Sequence, residues 1–185
     1  MDLFEAIHSR RSIRRFLEKP VEDEKLEKII EAARAGPSWA NLQCWRFVIV
    51  KDEKMRKNIS ELTGMYDGTE FNAEKANPAK KGIPQAPVLI VVCADPMQSG
   101  NLWGQQYYLA DVGIAAQNIM LATHGLGLGT VFIGVFHEEK IQKTLNIPSE
   151  HRVVGLFPIG YPFREKKEGP PKKERNEVVF NEKWE

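Results

Sequence analysis

Apolar residues recur along the chain in two rhythms. Over residues 21–35, Leu26, Ile29, Ile30 and Ala33 fall at i, i+3, i+4 and i+7 between charged positions, and Gly36 with Pro37 ends the run. That spacing predicts an amphipathic surface helix. A shorter helix is expected at the N-terminus, where Asp2 and Glu5 form a capping pattern and Leu3, Phe4 and Ile7 make the apolar side. It should fail near Ser9, where arginines begin. Residues 107–124 place Leu109, Val112, Ala116, Ile119, Met120 and Thr123 on one side, with Ala110, Gly113 and Ala115 around the rest. So many small and apolar positions predict a helix packed on several sides, at the centre of the core.

The second rhythm is a set of short runs rich in Val and Ile. Residues 45–50 and 87–93 read as buried strands, and 129–135 and 152–159 as two more, separated by a helix at 138–145 that Pro148 closes off. A polar helix near 54–62 leads into a stretch rich in Gly, Asn and Lys over 64–85, expected to cross the surface as a lid. After Gly160 come Pro162, Pro170, Pro171 and clustered lysines, so residues 161–185 form an extended arm. Its Val178, Val179 and Phe180 predict a strand that pairs with a sheet edge, in this chain or in a partner subunit. Strands alternating with helices predict an α/β or α+β sandwich.

Composition narrows the picture. The chain has 185 residues, one domain's length, and its 42% hydrophobic content can fill a core without staples. The 26 Lys and Arg balance 25 Asp and Glu, which argues against a polyanion binder, so no nucleic-acid partner is expected. No apolar run reaches the length of a membrane span, and the N-terminus lacks a signal-peptide pattern. Cys44 and Cys93 form neither a CxxC pair nor a disulfide framework. A cytoplasmic protein with no membrane association is expected.

The densest chemical signal is RRSIRRF at 10–16. Guanidinium groups grip phosphate oxygens bidentately, and a hydroxyl with backbone N–H groups completes such a shell. The same residues also read as a solvated basic loop or a nucleic-acid patch; Ile13 and Phe16 anchor the run, and the balanced charge elsewhere favours one small phosphate. GPSWANLQCWRF at 36–47 places Ser38, Asn41 and Gln43 in a loop before a strand. Amide side chains can read the edge of a planar heterocycle, while the plainer reading is a capped turn. GLGLGT at 125–130 lies after a helix and before a strand, the reverse of a dinucleotide fingerprint, and reads as a helix C-cap. The four histidines share no metal-ligand spacing, no GxSxG is present, and Asp111 reads as a structural carboxylate in the core helix.

Taken in order, RRSIRRF, GPSWANLQCWRFVIV, ADVGIAAQNIMLATHGLGLGTVFIG, VVGLFPIGYP and a basic tail before EVV resemble the nitroreductase family of FMN-dependent oxidoreductases. The resemblance implies an α+β fold with a central mixed or antiparallel sheet wrapped by helices. It also implies a homodimer with a swapped C-terminal arm and two FMN sites, each built from both chains. Arg10, Arg11, Ser12 and Arg14 resemble the segment that holds the FMN phosphate, ribityl chain and pyrimidine end. Pro37, Ser38, Asn41 and Gln43 resemble the loop against the isoalloxazine, and Ile133 and Gly134 the strand end whose backbone approaches the ring. Lys172 or Lys173 matches the tail cation that reaches the phosphate, with Arg175 leaving the register open. Trp39 and Cys44 depart from the family pattern, which usually has a small residue and a proline there.

The implied activity is ping-pong transfer of two electrons from NADH or NADPH through FMN to a nitroaromatic, quinone or similar flat small-molecule acceptor. The flavin carries the chemistry, so no side chain is assigned a catalytic role. The same fold also hosts reductive dehalogenation, oxygen-dependent flavin breakdown and non-catalytic flavin binding.

Overall fold

The fold is seen in a computed structural model that describes residues 2–66, 71–72, 77–165 and 168–184. Its centre is an antiparallel sheet of β1 (Trp45–Val50), β4 (Val88–Ala94) and β7 (Arg152–Ile159), in the order β1-β4-β7. β4 is buried along its whole length, so it carries Val, Leu and Ile on both faces, whereas edge strand β1 exposes Arg46 and Ile49. The period of two sorts β4 between two cores. Val88, Ile90 and Val92 pack with α2 (Asp23–Arg34) and α5 (Tyr108–Gly125), while Leu89, Val91 and Cys93 face the opposite side with Ile59, Ile83 and Ile141. Those three come from α3 (Glu53–Glu61), α4 (Gly82–Gln85) and α6 (Glu138–Leu145). Two minor hairpins, β2 (Met65–Tyr66) with β3 (Phe71–Asn72) and β5 (Asn101–Leu102) with β6 (Gln105–Gln106), complete the strands.

Helix α1 (Leu3–Ser9) starts as its sequence predicts, with Asp2 Oδ1 accepting from the Glu5 N–H at 2.8 Å. Its apolar side is not buried within the chain: Leu3, Phe4 and Ile7 are exposed. α5 buries Val112, Ala115, Ala116 and Ile119 but leaves Leu109 and Ile114 uncovered, so its packing is less complete than the sequence predicts. α1 and α5 touch, which puts their uncovered apolar residues on neighbouring elements.

The expectations for residues 129–135 and 64–85 need correction, and that for 178–180 is not met within the chain. Residues 129–135 form no continuous strand; Gly129 bridges Gly160, Thr130 bridges Ser12 in parallel, and Ile133 bridges Leu156. A segment that pairs with a different neighbour every few residues cannot sustain one ladder. Apart from the Ser12 bridge, strand pairing among the described residues is antiparallel rather than mixed. The expected lid at 64–85 lies partly outside the described residues, and its far end is no surface excursion, because Ala79, Gly82 and Ile83 are buried. Val178, Val179 and Phe180 form no strand within the chain; a turn, Arg175–Glu177, closed by reciprocal Glu174 and Glu177 caps, precedes them. Among the described residues no helix is long and apolar enough to cross a membrane.

Candidate functional site

The arginine run leaves α1 and is fastened to the segment after α5. The Ile13 N–H donates to the Thr130 carbonyl at 2.9 Å, and Arg10, Arg11, Ser12 and Arg14 are all half-buried. These four residues line a cavity of about 710 Å³, together with Gln117 of α5 and Gly169, Pro170 and Lys172 of the arm. Arg11 Nη1 donates to the carbonyls of His8 at 2.7 Å and Arg10 at 2.9 Å, which fixes its guanidinium. Arg11 Nε and Arg10 Nη1 are buried without a hydrogen-bond partner.

Burying a guanidinium N–H unpaired is costly, and neither arginine forms an ion pair among the described residues. Two unneutralised guanidiniums at a cavity, that of Arg11 fixed by its backbone partners, suit a phosphate. The FMN phosphate implied by the resemblance therefore fits the residues present. Beside them, His124 Nε2 lies 2.7 Å from Ser9 Oγ. Burial, then the charges of Arg10 and Arg11, hold this imidazole below its ordinary range.

Residues 38–44 form a second, separate feature. Ala40, Asn41 and Gln43 all adopt left-handed backbone, with φ of 46°, 57° and 53°. Each is unfavourable for a residue with a Cβ, by roughly 1 kcal/mol or more. Such a loop persists only where its surroundings over-determine it. Here Ser38 Oγ accepts from the Gln43 N–H at 3.0 Å, Gln43 Nε2 donates to the Asn41 carbonyl at 3.3 Å, and the Trp39 N–H donates to Asp111 at 2.9 Å. Pro37, Asn41 and Gln43 face solvent. The arginine cavity has no residue of 37–43 in its lining. Within one chain the two halves of the expected flavin site are not brought together.

Ile133 lies in the core, and its N–H and carbonyl are both bonded to Leu156 at 3.0 Å. Gly134 faces Phe132, whose ring would lie 2.9 Å from a Cβ there. Lys172 lines the arginine cavity and Lys173 does not. Sequence reasoning missed Gln117, which α5 presents to the same cavity, and it missed the partners of Asp111. Cys44 Sγ and Ser99 Oγ also donate to that carboxylate, at 3.4 and 2.8 Å. Burial first, and then Asp111, pushes the Cys44 thiol up to about 12.

A fold of this topology with an arginine-lined cavity narrows the class, and comparison with known proteins fixes it. The model of the Nitroreductase family matches residues 7–161, and the chain belongs to that family. A relative in Methanothermobacter thermautotrophicus, named for NADH dehydrogenase and NAD(P)H nitroreductase, is 35% identical over 88% of this chain and 78% of its own. An iodotyrosine deiodinase of Thermotoga neapolitana is 30% identical over 96% of this chain and 95% of its own. The structure of an FMN-dependent nitroreductase from Clostridium difficile R20291 superposes with a TM-score of 0.80 at 28% identity, covering 98% of this chain and 100% of that one.

Proposed function

We propose that this member of the nitroreductase family, an FMN-dependent NAD(P)H oxidoreductase, passes two electrons from a reduced nicotinamide to a flat acceptor such as a nitroaromatic or quinone by a ping-pong scheme. The observation that carries the reading is the buried, unpartnered pair of guanidinium N–H groups, Arg10 Nη1 and Arg11 Nε, at a cavity of about 710 Å³. FMN, when bound, supplies the two-electron chemistry.

The chain's task is placement and charge. Arg10, Arg11, Arg14 and Lys172 hold the phosphate, with Ser12 completing the polar wall. Ser38, Asn41 and Gln43 present a hydroxyl and two amides to a planar ring. Because the loop and the arginine cavity are separate in one chain, the loop serves the site of a partner subunit, and the working unit is a homodimer. Leu3, Phe4, Ile7, Leu109 and Ile114 supply apolar surface for that contact, and Val178, Val179 and Trp184 leave the arm in need of one. Purified protein is expected to be yellow, to be bleached by NADH or NADPH without oxygen, and to regain colour on adding a quinone. A protein that neither carries nor takes up FMN removes the scheme.

Similarity to the Thermotoga neapolitana enzyme over nearly the whole chain favours reductive dehalogenation as a second reading. Turnover of a halotyrosine in place of a nitroaromatic, with the flavin intact afterwards, would establish it.

A further inference from the structure

Asp111 stands in the first turn of α5, 4% exposed, and accepts hydrogen bonds from three donors on two separate segments: Trp39 N–H at 2.9 Å and Cys44 Sγ at 3.4 Å from one, Ser99 Oγ at 2.8 Å from the other. Trp39 and Cys44 bracket the three left-handed residues of the loop, whereas Ser99 stands at the foot of the β5–β6 hairpin. The two segments meet again through Trp39. Its indole lies on Gly100, where a Cβ would be 2.4 Å from the ring, and its ring centroid is 4.3 Å from that of Tyr107. The Tyr107 N–H donates to the Gly100 carbonyl at 2.9 Å, so both residues belong to the closed base of the hairpin. At its tip Trp103 and Gly104 have φ of 52° and 78°, and Trp103 is 89% exposed. A bulky residue held left-handed and in solvent is a feature that folding does not reward.

We propose that Asp111 is a positioning residue that couples the β5–β6 hairpin, as an acceptor-sensing flap, to loop 38–44, so that contact of a flat aromatic acceptor with Trp103 is transmitted to the residues facing the ring. This rests on the reading of that loop as the flavin-facing one. The coupling has a physical basis in shared acceptors. One carboxylate satisfies donors from both segments, and its two oxygens can do so only while hairpin base and loop keep their present spacing. An outward shift of Ser99 loosens the carboxylate that secures Trp39. The left-handed residues beyond Trp39 then lose one of the bonds that over-determine them. Glycine at 100 and the indole at 39 are complementary, so the same movement also unseats Trp39.

The decisive variants are Ser99→Ala and Ser99→Thr, with amide hydrogen exchange read peptide by peptide on the FMN-loaded protein. Ser99→Ala keeps the Trp39 and Cys44 bonds to Asp111 and removes the flap's, together with the contact of Ser99 with the Cys44 thiol. Exchange is expected to rise about fivefold in residues 39–43, to which Ser99 donates no hydrogen bond, as well as in 99–107, the change that one lost hydrogen bond gives. KM for a quinone should rise by a similar factor while the rate of flavin bleaching by NADH or NADPH stays the same, and Ser99→Thr should restore both. Faster exchange confined to 99–107, with 39–43 unchanged, overturns the coupling. If the chain takes up no flavin, the function proposed above fails, yet exchange on the flavin-free protein still decides the coupling.

Discussion

The side chain of Ile13 rests on the backbone of Gly129, so closely that a Cβ at 129 would stand 2.7 Å from Ile13 Cγ1. One residue on, Thr130 accepts from the Ile13 N–H. The arginine run is thus held in place by a side chain that is missing. Gly129→Val should push residues 12–14 outward at an overpacking cost of about 1–3 kcal/mol. Thermal unfolding should report that loss, and the flavin-to-protein ratio after gel filtration should fall further than stability does. A stoichiometric flavin content in the variant would show that the run does not depend on this contact.

Arg10→Gln and Arg11→Gln should weaken FMN binding by about tenfold to a hundredfold each, the loss of one charge-assisted hydrogen bond of about 1.5–3 kcal/mol. Riboflavin, which lacks the phosphate, provides the control. Its affinity, read by quenching of flavin fluorescence, should be nearly the same in wild type and variants. Equal losses for both ligands would place the arginines elsewhere than at the phosphate.

The sequence made these arginines visible because charge and anchoring residues occur together within seven positions. It likewise announced α2, α6 and β4, where one periodicity runs unbroken between stop signals. Residues 129–135 misled because their composition is that of a strand while their partners change from one residue to the next. Asp111 was harder still. It is separated from Trp39 by 72 positions and from Cys44 by 67, and nothing in a helical pattern says which distant donors a buried carboxylate will collect. Leu109 shares the periodic apolar side of α5 with Val112 and Ala116 yet is not covered by the chain alone, and Ile114, on the other side of the helix, is likewise uncovered.

Those two residues test the assembly. A Leu109→Glu, Ile114→Glu double variant adds charge to surface that the proposed dimer buries, and burying an unpaired carboxylate is prohibitive. Sedimentation should then show monomers, and FMN retention should drop together with dimer content, because the loop at 38–44 would no longer reach a partner's cavity. An intact yellow dimer would assign the interface to other elements.

His124 offers a titration. Its imidazole is held below the ordinary value of 6.5 by burial and by Arg10 and Arg11, with Glu5 opposing. The unfolded chain therefore takes up this proton first, so the histidine's contribution to stability is present above the unfolded value and is lost as pH falls through the folded one. A phosphate seated on the two arginines offsets their charge, so loading with FMN should move the His124 titration upward, as followed by NMR of its ring protons. An Arg10→Gln variant should shift it the same way without ligand. A titration unmoved by FMN would separate His124 from the phosphate site.

Both sulfhydryls of this chain are out of reach of electrophiles. Cys44 and Cys93 are buried, and burial pushes each thiol up to about 12, so at neutral pH neither supplies the thiolate on which oxidation and alkylation depend. Under the proposed function the enzyme would work among reactive products, and this chain presents them with no reactive thiolate. Its working life should be set by loss of cofactor or fold, and thiol-protecting reductants in storage should make no difference to it.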